Sequence, residues 1–288
     1  METTYTTTSS EIILKSTKDI ITLWNFGDIH RDAPSCDVDR WRWFTSEAKR
    51  TMDDNTYFIG YGDYHDFASS KEQKHLQRKG DLHMETIMRL DGSVERDNRK
   101  LAREMSFMRG RLIGLVEGNH SWTFMNGKTA TEDLCERLQA QFFGWLNHHT
   151  LRVGFETTNT RANVYIVSCH GQAGGKTAGN SVNQLDNLRQ IFPISDIFCM
   201  GHDHQRLARP MSILIPSVTP NGEVRLKQKR QFLCRSGSFK KAYVEGVSGY
   251  EVGRLLKPSD LGALKLEIGF HRDYKDGDRL VTDIKAIV

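Results

Sequence analysis

The chain is short of cysteine, of long apolar runs and of charge of one sign, and each shortage removes a class of protein. Its five cysteines, at positions 36, 135, 169, 199 and 234, are odd in number and include no C-x-x-C pair. Neither a zinc ribbon nor a small disulfide scaffold is encoded, and reduced thiols in the cytosol are the expectation. The longest apolar runs, such as Leu112-Ile113-Gly114-Leu115-Val116, are far too short for a membrane span. The leading segment METTYTTTSS lacks a basic stretch followed by an apolar one, so it does not read as a secretory leader. No internal repeat, low-complexity tract or clear linker is visible. Lys and Arg number 40 against 36 Asp and Glu, a net charge of +4. That is too mild to mark a nucleic-acid binder, which leaves local clusters to decide the partners. The expectation is a soluble, cytoplasmic protein with no membrane contact.

The 288 residues, 38% of them hydrophobic and 24 of them glycine, are ordinary for a globular chain. The Thr- and Ser-rich start reads as a flexible lead-in over 1–15, and 16–288 as one domain with a charged helical insert at about 67–111. Short apolar runs at 20–26, 57–61, 112–116, 163–169 and 197–200 predict strands. Between them, 37–52 and 181–191 have helical patterns, and 71–111 is predicted helical with a break at Asp91-Gly92-Ser93. Thr129-Ala130-Thr131-Glu132 fits a capping box, with Leu134, Leu138, Phe142 and Trp145 continuing a helical stripe behind it. From 210 onward the pattern is rich in strands and turns. Strand–helix alternation followed by hairpins predicts mixed α/β layers rather than one parallel sheet.

The informative feature is what ends the apolar runs. Five polar clusters do so: Asp28-Ile29-His30, Gly62-Asp63-Tyr64-His65-Asp66, Gly118-Asn119-His120, Ser168-Cys169-His170-Gly171 and Gly201-His202-Asp203-His204. Carboxyl ends of strands in an α/β sheet converge on one rim. Residues two apart on an extended segment face the same way, which pairs Asp28 with His30 and His202 with His204. Imidazole and carboxylate suit Mn, Fe, Zn or Ni, and a carboxylate can bridge two cations. Asp28, His30, Asp63, Asn119, His170, His202 and His204 would furnish two divalent metals sharing one carboxylate. His65, between two motif aspartates, is intermediate between a site role and a core role; His75, His83, His148, His149 and His271 match no motif.

The order D-x-H, G-D-x-x-D, G-N-H, H-G, G-H-x-H resembles the calcineurin-like metallophosphoesterase superfamily. The resemblance implies a four-layer α/β/β/α sandwich, two mixed β-sheets flanked by helices, with the site at one rim. It also implies an enzyme, a hydrolase of phosphate esters. One metal would be held by Asp28, His30, Asp63 and His204, the other by Asp63, Asn119, His170 and His202, with manganese the first choice. A hydroxide bridging the metals would attack phosphorus. His120 would protonate the departing oxygen, and Asp66 would orient the His120 ring. Two positions depart from the pattern of protein Ser/Thr phosphatases: Phe67 stands where they carry arginine, and Ser121 where they carry Glu.

Two further features bear on substrate. His170-Gly171-Gln172-Ala173-Gly174-Gly175-Lys176-Thr177 nearly spells a P-loop but lacks its first glycine. A Gly-rich loop beside the metals, with Lys176 on substrate phosphate, and an inert surface lysine are equal alternatives. Arg225, Lys227 and Lys229 alternate on a segment without acids, so one strand face would be cationic. That face would either follow a nucleic-acid backbone or guard an edge strand against aggregation. The reading leans to phosphodiesters, as in a phosphodiesterase or nuclease. Phosphatase action on nucleotides or other small monoesters is the alternative, and a non-catalytic scaffold of the same fold stands behind both. The segment 236–262 matches no motif and is expected to be a loop-rich closing section.

Overall fold

The apolar runs fold into two mixed six-stranded sheets in the computed structural model, which describes residues 4–67, 82–172, 178–219, 221–246, 250–253, 255, 257–273 and 279–288. One sheet has the spatial order β1 (Tyr5–Leu14), β6 (Leu146–Phe155), β7 (Thr158–Cys169), β8 (Ile197–Met200), β10 (Val224–Ser236), β9 (Arg206–Val218). The other runs β12 (Arg279–Ile287), β11 (Leu264–Asp273), β2 (Ile21–Phe26), β3 (Thr56–Gly60), β4 (Leu112–Leu115), β5 (Gln141–Phe142). Their inner faces share one core, in which Leu23, Ile59 and Val116 meet Leu151, Ile166, Ile197 and Cys234. Phe143 enters this core because Gly114 leaves room for it; a Cβ at Gly114 would overlap the Phe143 ring.

Helices cover the two outer faces. The pattern of α1 (Val38–Thr51) buries Trp41, Phe44 and Ala48. With Leu101 and Met105 near the end of α2 (Met84–Glu104), and Leu134 and Leu138 of α3 (Ala130–Leu138), these cover Phe26, Phe58, Leu112 and Leu115 of the second sheet. On the first sheet, Leu185 and Leu188 of α4 (Ala178–Ile191) cover Val167, Phe198 and Leu233. The four-layer α/β/β/α sandwich implied by the metallophosphoesterase resemblance is present. The capping box also forms, with Thr129 accepting from the Glu132 amide and Glu132 from the Thr129 amide; such caps typically contribute ~1 kcal/mol.

Three expectations about elements need correction. The lead-in is an edge strand: β1 runs parallel to β6, with Ile12 and Leu14 buried. Its threonines and serines have polar partners, since Asn147 Nδ2 donates to Thr6 Oγ1 at 2.8 Å, and Thr8 and Ser10 hydroxyls each lie 2.8 Å from a nitrogen of His149. The break expected at Asp91-Gly92-Ser93 is absent. There α2 continues, because Asp91 accepts from Trp122 Nε1 at 2.7 Å and from the Met125 amide at 3.1 Å. The stripe through Trp145 is not one helix either. Gln139 turns left-handed (φ 58°) after Leu138, and Phe142 enters β5. Residues 68–81 of the insert lie outside the described residues. All five cysteines are buried thiols. Among the described residues, no helix is long and apolar enough to cross a membrane.

Candidate metal centre

The strands β2, β3 and β4 are parallel neighbours in one sheet, as are β7 and β8 in the other, so five carboxyl ends meet on one rim. Asp28 and His30 follow β2, Asp63 follows β3, Asn119 and His120 follow β4, His170 follows β7, and His202 and His204 follow β8. The backbone is unusual there. Asp28 (φ 48°), His30 (φ 46°), Asp63 (φ 49°), His202 (φ 74°) and His204 (φ 55°) are all left-handed. Among the described residues, Gln139 and Leu255 are the other non-glycine cases. Such conformations cost on the order of 1–3 kcal/mol each and cluster at functional sites. Hydrogen bonds between the turns hold them: the Asp28 amide donates to Gly62 O and the His30 amide to Asp63 O, both at 3.0 Å. The His202 amide donates to Asp28 Oδ2 at 2.9 Å, and the His120 amide to Asp63 Oδ1 at 3.0 Å. Gly118 is required where it stands, because a Cβ would overlap the Asp63 amide and carboxylate.

The side chains meet in overlapping groups. Donor atoms of Asp28, His30 and His204 lie within 4.8 Å of one another, as do those of Asp63, His170 and His202, and those of His30, Asp63 and His120. Asn119 Oδ1 is 2.8 Å from both His170 Nε2 and His202 Nδ1, and those two nitrogens are 3.1 Å apart. The seven donors expected from the sequence are thus brought together. Carbonyls and carboxylates only accept, so His170 Nδ1–H donates to Tyr61 O at 2.7 Å and His30 Nδ1–H to Asp66 Oδ1 at 2.8 Å. Each ring then turns Nε2 toward Asp63, at 3.1 Å for His170 and 3.8 Å for His30. Outer partners of this kind fix the tautomer of metal-binding histidines. His30 Nε2 is buried without a hydrogen-bond partner. An orphaned nitrogen facing a carboxylate, within this oxygen and nitrogen donor set, fits a divalent cation.

The electrostatics agree with the geometry. Burial pushes the Asp28 carboxyl well above the usual carboxylate range, with the Asp63 charge adding to the effect. Burial would also raise Asp63, but His170, then His30 and His120, hold it well below that range. Burial pulls His170 down, yet the charge and hydrogen bond of Asp63, the Asp28 charge and the bond to Tyr61 O together outweigh it and lift the ring to about 9. His202, by burial and the His170 charge, falls to about 3. His30 and His204 are also lowered, by burial first, and Lys240 contributes to both. His30, His202 and His204 are thereby held neutral, as ligands must be, whereas His170 and Asp28 would give up their protons to a bound cation.

Asp66 does more than expected. Its Oδ1 lies 2.8 Å from His30 Nδ1, 3.3 Å from His120 Nδ1 and 3.7 Å from Lys240 Nζ. It therefore hydrogen-bonds the His30 ring, while His120 Nδ1, also within ion-pair distance, has its hydrogen bond to Phe67 O at 3.4 Å. His65 is a core residue: it is buried, its ring stacks on Phe67 at 4.5 Å, and burial lowers it to about 3. Lys176 lies outside the described residues. The cationic strand does not reach the site. Ser236 is the rim end of β10, and at about 3.3 Å per residue Lys229, Lys227 and Arg225 are roughly 20–35 Å back along it. Arg225 pairs with Glu223 at 2.7 Å, and Lys229 with Asp196 at 2.8 Å. These three are placed away from the site where substrate contact was expected, and part of their charge is met locally.

The closing segment holds residues that carry no motif. Phe239 N and Ser238 Oγ both donate to Asp28 O, at 2.9 and 3.0 Å, and the Asp260 amide donates to His204 O at 2.8 Å. Arg235 is fully buried and donates to Gly201 O at 2.8 Å and to Ser181 O at 2.9 Å, tying the His202 turn to α4. Nothing local in the sequence places Lys240 beside Asp66, 3.7 Å away.

No family model matches the sequence, and no curated protein matches it. The chain is similar to several solved structures at low identity. A conserved uncharacterized protein from Streptococcus pneumoniae, described as a predicted phosphoesterase, is 10% identical over 93% of this chain and 99% of its own, with a TM-score of 0.34. A 5'-nucleotidase precursor from Thermus thermophilus is 12% identical over 94% of this chain, with a TM-score of 0.41. This chain spans 54% of that protein's structure. Vps29 from Chaetomium thermophilum is 8% identical over 92% of this chain and 97% of its own, with a TM-score of 0.38.

Proposed function

We propose that the chain is a hydrolase of phosphate esters that works with two divalent cations. The observation that carries this reading is the convergence of seven nitrogen and oxygen donors on strained turns from both sheets. Asp28, His30, Asp63 and His204 would hold one cation, and Asp63, Asn119, His170 and His202 the other. Bound there, the pair would supply Lewis-acid neutralisation of phosphoryl charge and a water ionised near neutral pH.

The chain's own groups do the rest. His120 gives a proton to the departing ester oxygen. Asp66 accepts the Nδ1–H of His30, which fixes that ring, and sets its charge 3.3 Å from His120 Nδ1, whose hydrogen bond goes to Phe67 O. Nothing about this division of labour needs the Phe67 or Ser121 side chain, so the departures from the protein-phosphatase pattern restrict substrate and leave the donor set whole. The preference for phosphodiesters and nucleic acid rested on the cationic strand of Arg225, Lys227 and Lys229 and on Phe67 standing where protein phosphatases carry arginine. The distance of that strand from the rim and the ion pairs of Arg225 and Lys229 turn the reading to phosphomonoesters. A scaffold has no use for a complete donor set.

The test is to strip the protein with a chelator, return Mn²⁺, and compare a nitrophenyl phosphomonoester with its matching diester while measuring bound metal. The expected result is two metals per chain and preferential monoester cleavage, abolished by His202→Ala. Fewer than two metals per chain would refute the dinuclear reading, and preferential diester cleavage the monoester assignment.

A further inference from the structure

Resting on that phosphoester reading, we propose that Lys240 binds the substrate phosphate and selects the dianionic phosphate of a monoester. The backbone around Lys240 is pinned to the turn that presents Asp28. Phe239, fully buried between Trp41 (5.0 Å) and Phe44 (5.4 Å), donates its amide to Asp28 O at 2.9 Å. The Lys240 amide donates to Ser238 Oγ at 3.0 Å, and that hydroxyl donates to Asp28 O at 3.0 Å. Lys240 also pairs with Cys36 as an isolated bridge, which closes the segment from the other side. The lysine therefore starts from a fixed backbone beside the donor set.

Its ammonium ends where substrate enters. His30 and Asp63 expose 1% and 3% of their side chains and lie at the back. Asp66, His120 and Lys240 expose 28%, 23% and 14%, and form the accessible side of the same cluster. Lys240 Nζ stands 3.7 Å from the Asp66 oxygen, which already receives the His30 Nδ1–H at 2.8 Å. A flexible stem with three donors suits the oxygens of an arriving anion. Phe67, packed on His65, brings no charge to this side.

The chemistry then decides the substrate class. A phosphomonoester dianion spreads two charges over three non-bridging oxygens, so a pair of cations would leave a third oxygen for the Lys240 ammonium group. A diester has an uncharged ester oxygen in that place and gains little from an ammonium group. Truncating a charge-assisted phosphate contact typically weakens binding by about 10–100-fold.

The experiment compares the Mn²⁺-loaded parent with Lys240→Ala and Lys240→Arg. Orthophosphate binding is measured by calorimetry, bound metal by elemental analysis, and KM on the nitrophenyl monoester and diester. In Lys240→Ala the orthophosphate Kd and the monoester KM should each rise about tenfold or more, the diester KM should move less than about twofold, and metal content should hold. Lys240→Arg should restore most of the phosphate affinity. An unchanged orthophosphate Kd in Lys240→Ala would overturn the assignment. An equal rise of KM on both esters would overturn the selection and make Lys240 a support for Asp66. A parent that binds neither metal nor orthophosphate would instead refute the underlying phosphoester reading.

Discussion

One oxygen of Asp66 lies 2.8 Å from His30 Nδ1 and 3.3 Å from His120 Nδ1, so substitutions at Asp66 and at His120 have different reach. His120→Ala removes a proton donor and leaves the ring of every proposed metal ligand supported. Its metal content should equal the parent's, while turnover of an alkyl phosphomonoester falls by about 10²–10⁴-fold. A nitrophenyl ester, whose leaving group needs no proton, should be affected far less. Equal rates of mutant and parent on the alkyl ester would sink the general-acid role. Asp66→Ala also frees the Nδ1–H of His30, so it should weaken Mn²⁺ binding by about 10–100-fold in addition to slowing turnover. Titration with Mn²⁺ reads this directly, and an unchanged affinity would confine Asp66 to His120.

Elements differ in how far their own residues announce them. The five strands that carry the site are short apolar runs stopped by glycine and polar residues, so both strand and ligand were visible in the pattern. β1 was not, because apart from the buried Ile12 and Leu14 its contacts are polar: Thr6, Thr8 and Ser10 bond to Asn147 and His149, two residues more than 130 positions away. His149 gives this junction a pH dependence. Burial, with the His148 charge second, pushes its ring from 6.5 to about 4. Between these values the unfolded chain binds a proton that the folded chain refuses, so stability rises with pH across the window. It is complete above about 6.5, declines as pH falls, and is lost by about 4. Urea unfolding at pH 7 and pH 5 should show a loss of about 2 kcal/mol from this group. His149→Gln, whose amide can still bond to Thr8 and Ser10, should lose correspondingly less. Equal losses in parent and variant would remove His149 as the cause. Lys240, Arg235 and Asp260 were hidden for a related reason, since only the folded chain puts them beside turns roughly 30 to 210 residues away.

At the scale of the whole molecule, the proposed ligands come from both sheets. Asp28, His30, Asp63 and Asn119 follow strands of one, and His170, His202 and His204 follow strands of the other. The shared core joins the sheets below, but at the rim the buried Asp28 and Asp63 carboxylates oppose each other, and five left-handed turns add strain. Cations bound between the sheets would relieve the repulsion and tie the rim together, so metal affinity should appear as folding stability. At free Mn²⁺ of 100–1,000 times Kd, linkage adds about 3–4 kcal/mol. For a chain of this length that is on the order of 5–10 °C in Tm. Melting the parent with Mn²⁺ and with excess chelator should show that difference. A double variant, His202→Ala with His204→Ala, keeps the ligands that follow β2, β3 and β4 and loses most of those on the opposite sheet, so its two melts should nearly coincide. If the parent melts at one temperature under both conditions, the rim is not a cation-bridged junction. A double variant that keeps the full shift would place the metals on the sheet of β2, β3 and β4 alone.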